Sequence, residues 1–152
     1  MVRGENRMAV NKKSASTEEL FQLLQNTQQL EDFLTAHEED LPSVSTPAYL
    51  QQMLTQHNIS KQSALEAANL NYSLGYQILN GYRNPSRNAL IRLALGIGLS
   101  LCETQRLLKI AQRGELYPKN RRDAALIYCI QHQTNVIDAE ILLEQIGEKL
   151  LG

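Results

Sequence analysis

The chain of 152 residues is predicted to be all-α. Three observations carry that expectation. Apolar residues recur three and four apart through most of the chain, the spacing that gathers them on one helix face. The alternating β-branched and aromatic runs that mark strands are missing. Ser, Thr, Asn and Asp stand just ahead of the apolar runs, where their side chains can take the orphan amides of a first helical turn. The length suffices for one well-buried core with helical extensions.

Met1 to Ala15 is polar and basic and reads as a flexible tail. It lacks the apolar stretch and cleavage pattern of a signal peptide. Ser16-Thr17-Glu18-Glu19 forms a capping box, so a helix should start there, carrying Leu20, Phe21, Leu23 and Leu24. Its pattern weakens at Asn26-Thr27-Gln28 and resumes with Leu30, Phe33, Leu34 and Leu41, as one bent helix or two short ones. Residues 16–45 thus make an N-terminal helical segment, a lid on the main core or a self-association helix, closed by the linker Leu41-Pro42-Ser43-Val44-Ser45.

Residues 46–114 are expected to form the main domain. Thr46 caps its first helix and Pro47 takes the first helical position, where its missing amide costs nothing. Tyr49, Leu50, Met53 and Leu54 face inward, and the helix stops near His57-Asn58. Ser60 opens a second helix with Leu65 and Ala68 on its buried side, and Asn69-Leu70-Asn71 breaks it. Asn71 caps a third helix, Tyr72 to Leu79, whose Leu74 and Ile78 share a face. Gly75 lies inside that helix at a cost of roughly 1 kcal/mol relative to alanine. Asn80-Gly81 ends it, since glycine accepts the left-handed backbone of a helix stop. Ser86 then opens a helix that buries Leu90, Leu93, Ala94 and Ile97 and ends at Gly98. Ser100 and Glu103 form a second capping box for a helix carrying Leu101, Leu107, Leu108 and Ala111, with a stop at Gly114.

Residues 115–152 repeat this last organisation at an offset of 35, which places Arg87 over Arg122, Ser100 over Asn135, Glu103 over Asp138 and Leu107-Leu108 over Leu142-Leu143. Tyr117-Pro118-Lys119-Asn120 connects the two copies. Helix 121–133 should bury Ala125, Leu126 or Ile127, Tyr128 and Ile130; helix 136–151 should bury Ile137, Ile141, Leu142 and Ile146. Two copies are too few for a solenoid, so the second pair either extends the bundle or forms a dimer contact.

Two short helices around a tight turn, the second apolar inside and polar outside, make the helix-turn-helix pattern. The stretch also resembles a known family on its residues. Ser60-Lys61-Gln62, Leu70-Asn71 and above all Ile78-Leu79-Asn80-Gly81-Tyr82-Arg83-Asn84-Pro85-Ser86 are similar to the phage-repressor-like (Xre, Cro/CI type) helix-turn-helix domain of bacterial and phage regulators. The resemblance covers about residues 47–101. It implies a five-helix repressor-like bundle that presents its third helix, here 72–79, to the major groove of double-stranded DNA. It also implies backbone contacts from the turn holding Lys61 and Gln62, and from the loop of Asn80, Tyr82, Arg83 and Asn84. Tyr72 departs from the pattern, standing where such domains often carry a basic residue. The C-terminal extension resembles that of a less characterised bacterial subgroup with no established effector.

By helical spacing Tyr72, Ser73, Tyr76 and Gln77 point away from Leu74 and Ile78, which makes them the base-contact candidates. Gln pairs bidentately with adenine, Ser with several base edges, and tyrosines touch a thymine methyl or donate to phosphate. The blander reading of Tyr76 is a surface cover. The first turn holding Lys61 and Gln62 favours a phosphate oxygen. Arg83 is the foremost phosphate contact, and Arg87 a further one.

Net charge is −1, weak for a DNA binder, yet it is unevenly spread. Residues 17–60 hold Glu18, Glu19, Glu31, Asp32, Glu38, Glu39 and Asp40 without a Lys or Arg. Residues 61–122 hold Lys61, Arg83, Arg87, Arg92, Arg106, Lys109, Arg113, Lys119, Arg121 and Arg122 against Glu66, Glu103 and Glu115. A phosphate-facing middle segment needs such a split. His37, His57 and His132 lack metal-site spacing, and no phosphate loop or activated nucleophile appears, so no metal, cofactor or catalytic role is expected. Cys102 and Cys129 read as reduced core residues. No apolar run approaches a membrane span. The expected function is a cytoplasmic, sequence-specific transcriptional regulator acting as a homodimer on DNA; the alternative is a protein-interaction adaptor that keeps the fold without DNA binding.

Overall fold

A computed structural model describes residues 16–26 and 44–152. The tail 1–15, the resumed helix around Leu30 to Leu41 and the linker's first residues lie outside the described residues. Every regular element among the described residues is a helix, with no strand: α1 (Thr17–Asn26), α2 (Thr46–Gln56), α3 (Lys61–Ala67), α4 (Tyr72–Leu79), α5 (Arg87–Ile97), α6 (Leu101–Ile110), α7 (Arg121–Gln131) and α8 (Val136–Gln145). None of these helices is long and apolar enough to cross a membrane.

The chain divides into two units, residues 1–43 and 44–152. In the first, α1 starts on the expected capping box: Ser16 N–H donates to Glu19 Oε1 at 2.9 Å, and Glu19 N–H to Ser16 Oγ at 3.2 Å. Phe21 on this helix is exposed.

The second unit is built around α5, which packs against α3, α6, α7 and α8. Its start and stop are local. Ser86 Oγ accepts from Ala89 N–H at 3.1 Å, and Gly98 closes the helix in the left-handed region at φ +87°. Most of its apolar side chains are buried, Ile91 and Leu95 as well as the four expected ones. The other caps follow the same chemistry at Ser60, Asn71, Ser100, Asn120 and Asn135. One moves by a residue: Ser45, not Thr46, caps α2, because Ser45 has the extended backbone that aims its hydroxyl at Ala48 N–H.

The duplication at offset 35 recurs contact for contact. Arg87 donates from Nε to the Gly114 carbonyl and from Nη2 to the Glu115 carbonyl, both at 3.0 Å. Arg122 donates in the same way to the carbonyls of Lys149 at 2.8 Å and Leu150 at 3.0 Å. Leu116 and Leu151, also counterparts, plug the core behind these carbonyls, 3% and 1% exposed. The Gln105 amide both donates to the Leu116 carbonyl and accepts from its N–H. Its counterpart Glu140 accepts the Leu151 N–H at 3.1 Å, but a carboxylate has no proton to return. Arg92 supplies that proton to the Leu151 carbonyl at 3.4 Å.

Contacts between the two helix pairs are reciprocal. Arg87 grips Asp123 through Nη1 at 3.1 Å and Nη2 at 2.9 Å, while Arg122 reaches Asn88 at 3.0 Å. Asn88 and Asp123 are themselves counterparts. Likewise α5 meets α8, α6 meets α7, and α5 meets α7. Residue i touching j while j's copy touches i's copy is the mark of a local two-fold relation rather than head-to-tail stacking. The second pair closes on the first.

Three expectations fall here. Tyr128, Ile137 and Ile141 are 53%, 64% and 47% exposed; α7 buries Leu126, Cys129 and Ile130, and α8 buries Val136, Ala139 and Leu143. Both helices are apolar on more than one face, so period by itself does not choose between faces. The repeat register does: Ala139 stands over Thr104 and Leu143 over Leu108, all fully buried. Helix α8 also ends at Gln145, short of the expected 151, and the chain continues as the segment bound by Arg122. Cys102 is exposed rather than core, while Cys129 is buried and its thiol pushed up by that burial.

Asp123 sets an acid limit on this unit. Burial alone would raise its carboxyl, but the Arg87 guanidinium and the Tyr117 N–H at 3.0 Å outweigh burial and hold it below the usual value. A carboxyl depressed in the folded state adds stability above its unfolded value, near ~4, and loses it as pH falls through the folded value. Urea midpoints should therefore stay level down to about pH 5 and drop below about pH 4. Asp123→Asn should start lower at neutral pH and flatten that drop.

Candidate nucleic-acid interface

Helices α3 and α4 are joined by four residues, Ala68 to Asn71. Asn69 takes the left-handed conformation at φ +56°, which asparagine tolerates better than most residues, and half-buried Leu70 turns back into the core. Asn71 Oδ1 then accepts from Leu74 N–H at 3.2 Å and starts α4.

The inner face of α4 is Gly75, Ile78 and Leu79, with Leu74 half-buried beside them. A Cβ on Gly75 would collide with both methyls of Leu65, which is fully buried in α3. The helix propensity lost at this glycine is thus exchanged for a close seat of α4 on α3.

The outer face carries Tyr72, Ser73, Tyr76 and Gln77, all exposed. The two tyrosines form a tilted ring pair with centroids 6.3 Å apart and 36° between planes. The Tyr72 hydroxyl donates to Glu66 Oε2 at 2.8 Å. This bond to the carboxylate pushes the Tyr72 hydroxyl up, and its proton is already engaged. Glu66 is the residue that sequence reasoning left among the bulk acids. Its partner lies six residues on, across the turn, and no helical spacing signals that pairing.

Lys61 Nζ donates to Asn80 Oδ1 at 2.9 Å, tying the first turn of α3 to the end of α4. Gln62 is exposed on the next position. Beyond Gly81, at φ +84°, Tyr82, Arg83 and Asn84 stand in solvent, with Tyr82 83% exposed. Arg83 has no carboxylate partner among the described residues. The Lys61–Asn80 bond brings those two together, whereas Asn84 lines a cleft with Thr46, Ile110 and Arg113.

Arg87 does not join them. Its guanidinium is taken up by Asp123 and two carbonyls, and its side chain is 27% exposed. The same holds for much of the basic excess. Arg92, Arg121 and Arg122 hold backbone carbonyls of the last segment. Arg113 holds the Pro85 carbonyl at 2.9 Å, and Arg106 lies 5.8 Å from the centre of the Tyr49 ring. Just past the end of α2, His57 Nε2 lies 2.9 Å from Glu103, the capping carboxylate of α6. Burial would raise that carboxyl, but the Ser100 amide and His57 together hold it low. Among the described residues no group of His, Cys, Asp and Glu could hold a metal ion.

Comparison with known proteins found no matching family model, no matching curated protein and no matching solved structure.

Proposed function

We propose that the chain is a sequence-specific DNA-binding transcriptional regulator of the repressor-like helix-turn-helix type. In this reading α2 to α6 are its five-helix bundle and α4 enters the major groove. One observation supports it: an outward polar and aromatic face on α4, beside the Lys61–Asn80 pair, with Arg83 in the following loop lacking a carboxylate partner among the described residues. Ser73 and Gln77 are placed for base edges; Lys61, Gln62, Asn80, Tyr82, Arg83 and Asn84 are placed for the phosphate backbone. One short helix reads few bases, so the protein acts as a homodimer on paired half-sites. With the face of α5 closed by its own α7 and α8, the dimer contact lies elsewhere.

The test is fluorescence anisotropy on genomic fragments at several salt concentrations. Affinity should fall steeply with salt, and Arg83→Ala should make the log–log slope shallower by about one. A second reading, the protein-interaction adaptor, is favoured by the Glu66 carboxylate on the same face and by the arginines already engaged in the fold. Absent or salt-independent binding across the genome supports the adaptor.

A further inference from the structure

We propose that Tyr72 and Tyr76 read thymine by its 5-methyl group, using their rings, and that Glu66 is the positioning residue that holds Tyr72 to that role. The inference rests on the DNA-binding reading and assigns the base that α4 selects.

A tyrosine on a groove-facing helix has two ways to contact DNA: its hydroxyl donates to phosphate or a base edge, or its ring covers an apolar group. At Tyr72 the first is closed. The hydroxyl proton points to Glu66 Oε2 at 2.8 Å, and a phosphate brought to that hydroxyl would meet the carboxylate's negative charge. The ring is what remains, 42% exposed. Tyr76, 36% exposed, lies against it with centroids 6.3 Å apart, within the range of interacting aromatic pairs. The hydroxyl bond to Glu66 and the ring contact with Tyr76 hold Tyr72 from two sides. The outcome is a preset apolar patch between the polar positions Ser73 and Gln77.

The apolar group that a major groove offers is the thymine C5-methyl. The rings are 6.3 Å apart, more than the ~3.4 Å rise between base pairs. The two rings are thus set to meet two separate methyl groups.

The experiment selects a duplex from a random pool with the full chain. Each thymine of that duplex is then replaced singly by deoxyuridine, which deletes the methyl and leaves every hydrogen-bonding edge in place. Burial of one methyl predicts about three- to fivefold weaker binding at each of two neighbouring positions, and no change elsewhere. Tyr72→Phe keeps the ring but loses the bond to Glu66, so it should shrink the penalty at the Tyr72 position as Glu66→Ala does, without abolishing it. Tyr72→Ala should abolish one of them. Glu66→Gln still accepts the hydroxyl bond, so it should keep the penalties while tightening binding at low salt. Glu66→Ala should shrink the penalty at the Tyr72 position, and Glu66→Gln restores it, which a purely structural role would not predict. Both residues are exposed, so these variants should fold, as circular dichroism would verify. Unchanged affinity with deoxyuridine at every position of a tightly bound duplex overturns this inference and leaves the DNA reading standing. A chain that enriches no duplex overturns both.

Discussion

Arg87→Ala should cost about 3 kcal/mol of folding stability and leave the salt slope of DNA binding by the folded protein unchanged. The magnitude follows from what the guanidinium does. It forks onto Asp123 and onto the carbonyls of Gly114 and Glu115, joining α5 to the segment after α6 and to α7. Removal leaves Asp123, only 7% exposed, with its charge met by the Tyr117 N–H and the neighbouring Arg122. Breaking a buried pair from one side costs about 3–5 kcal/mol, and the quarter-exposed arginine places this one at the low end. Arg87→Lys should recover part of the loss, since an ammonium keeps the charge but not the fork. Urea denaturation reads the midpoint, and anisotropy at several salt concentrations reads the slope. A slope shallower by one with stability intact would return Arg87 to the phosphate contacts.

Gly96→Ala should be comparably damaging although it favours helix. A Cβ at this position would stand 2.7 Å from Ala68 N and 3.0 Å from Ala64 O, both backbone atoms of the α3 end. Backbone cannot swing aside as a side chain can, so α3 and α5 must part. Overpacking costs about 1–3 kcal/mol, against about 1 kcal/mol gained in propensity. A net loss of about 2 kcal/mol is expected, at the upper end because the obstacle is backbone. Under the proposed DNA-binding function, affinity for DNA should fall with it, because α3 carries Lys61 and Glu66 and seats α4. A urea midpoint at or above that of the parent protein would show that the two helices can separate freely.

How much of this was legible depends on the range of each interaction. The helix over 72–79 and most caps were readable, because a cap bonds an amide three residues on and both partners sit in one short window. The capping boxes of Ser16 and Ser100 formed as their residues indicate. The repeat was readable as well, and its register is a better guide to buried faces than periodicity: it selects Ala139 and Leu143 where period favoured Ile137 and Ile141. The candidate interface was legible in part. Tyr72, Ser73, Tyr76 and Gln77 are outward as spacing predicts, since spacing against Leu74 and Ile78 is a local rule. The charge split was legible as a fact and misleading as a signal, because composition does not reveal which cations already have partners.

The order of residues determined where helices begin and end, and which side of α4 is polar, because helical geometry fixes those over a few residues. The packed chain decided what Arg87, Arg113 and Arg122 hold, why Gly75 and Gly96 are glycines, and that the Tyr72 hydroxyl is engaged by Glu66. Those outcomes hang on atoms that meet only after the turn between α3 and α4 and the closure of the two helix pairs. Contacts between distant residues depend on the relative placement of rigid helices, and no window of the sequence contains that placement.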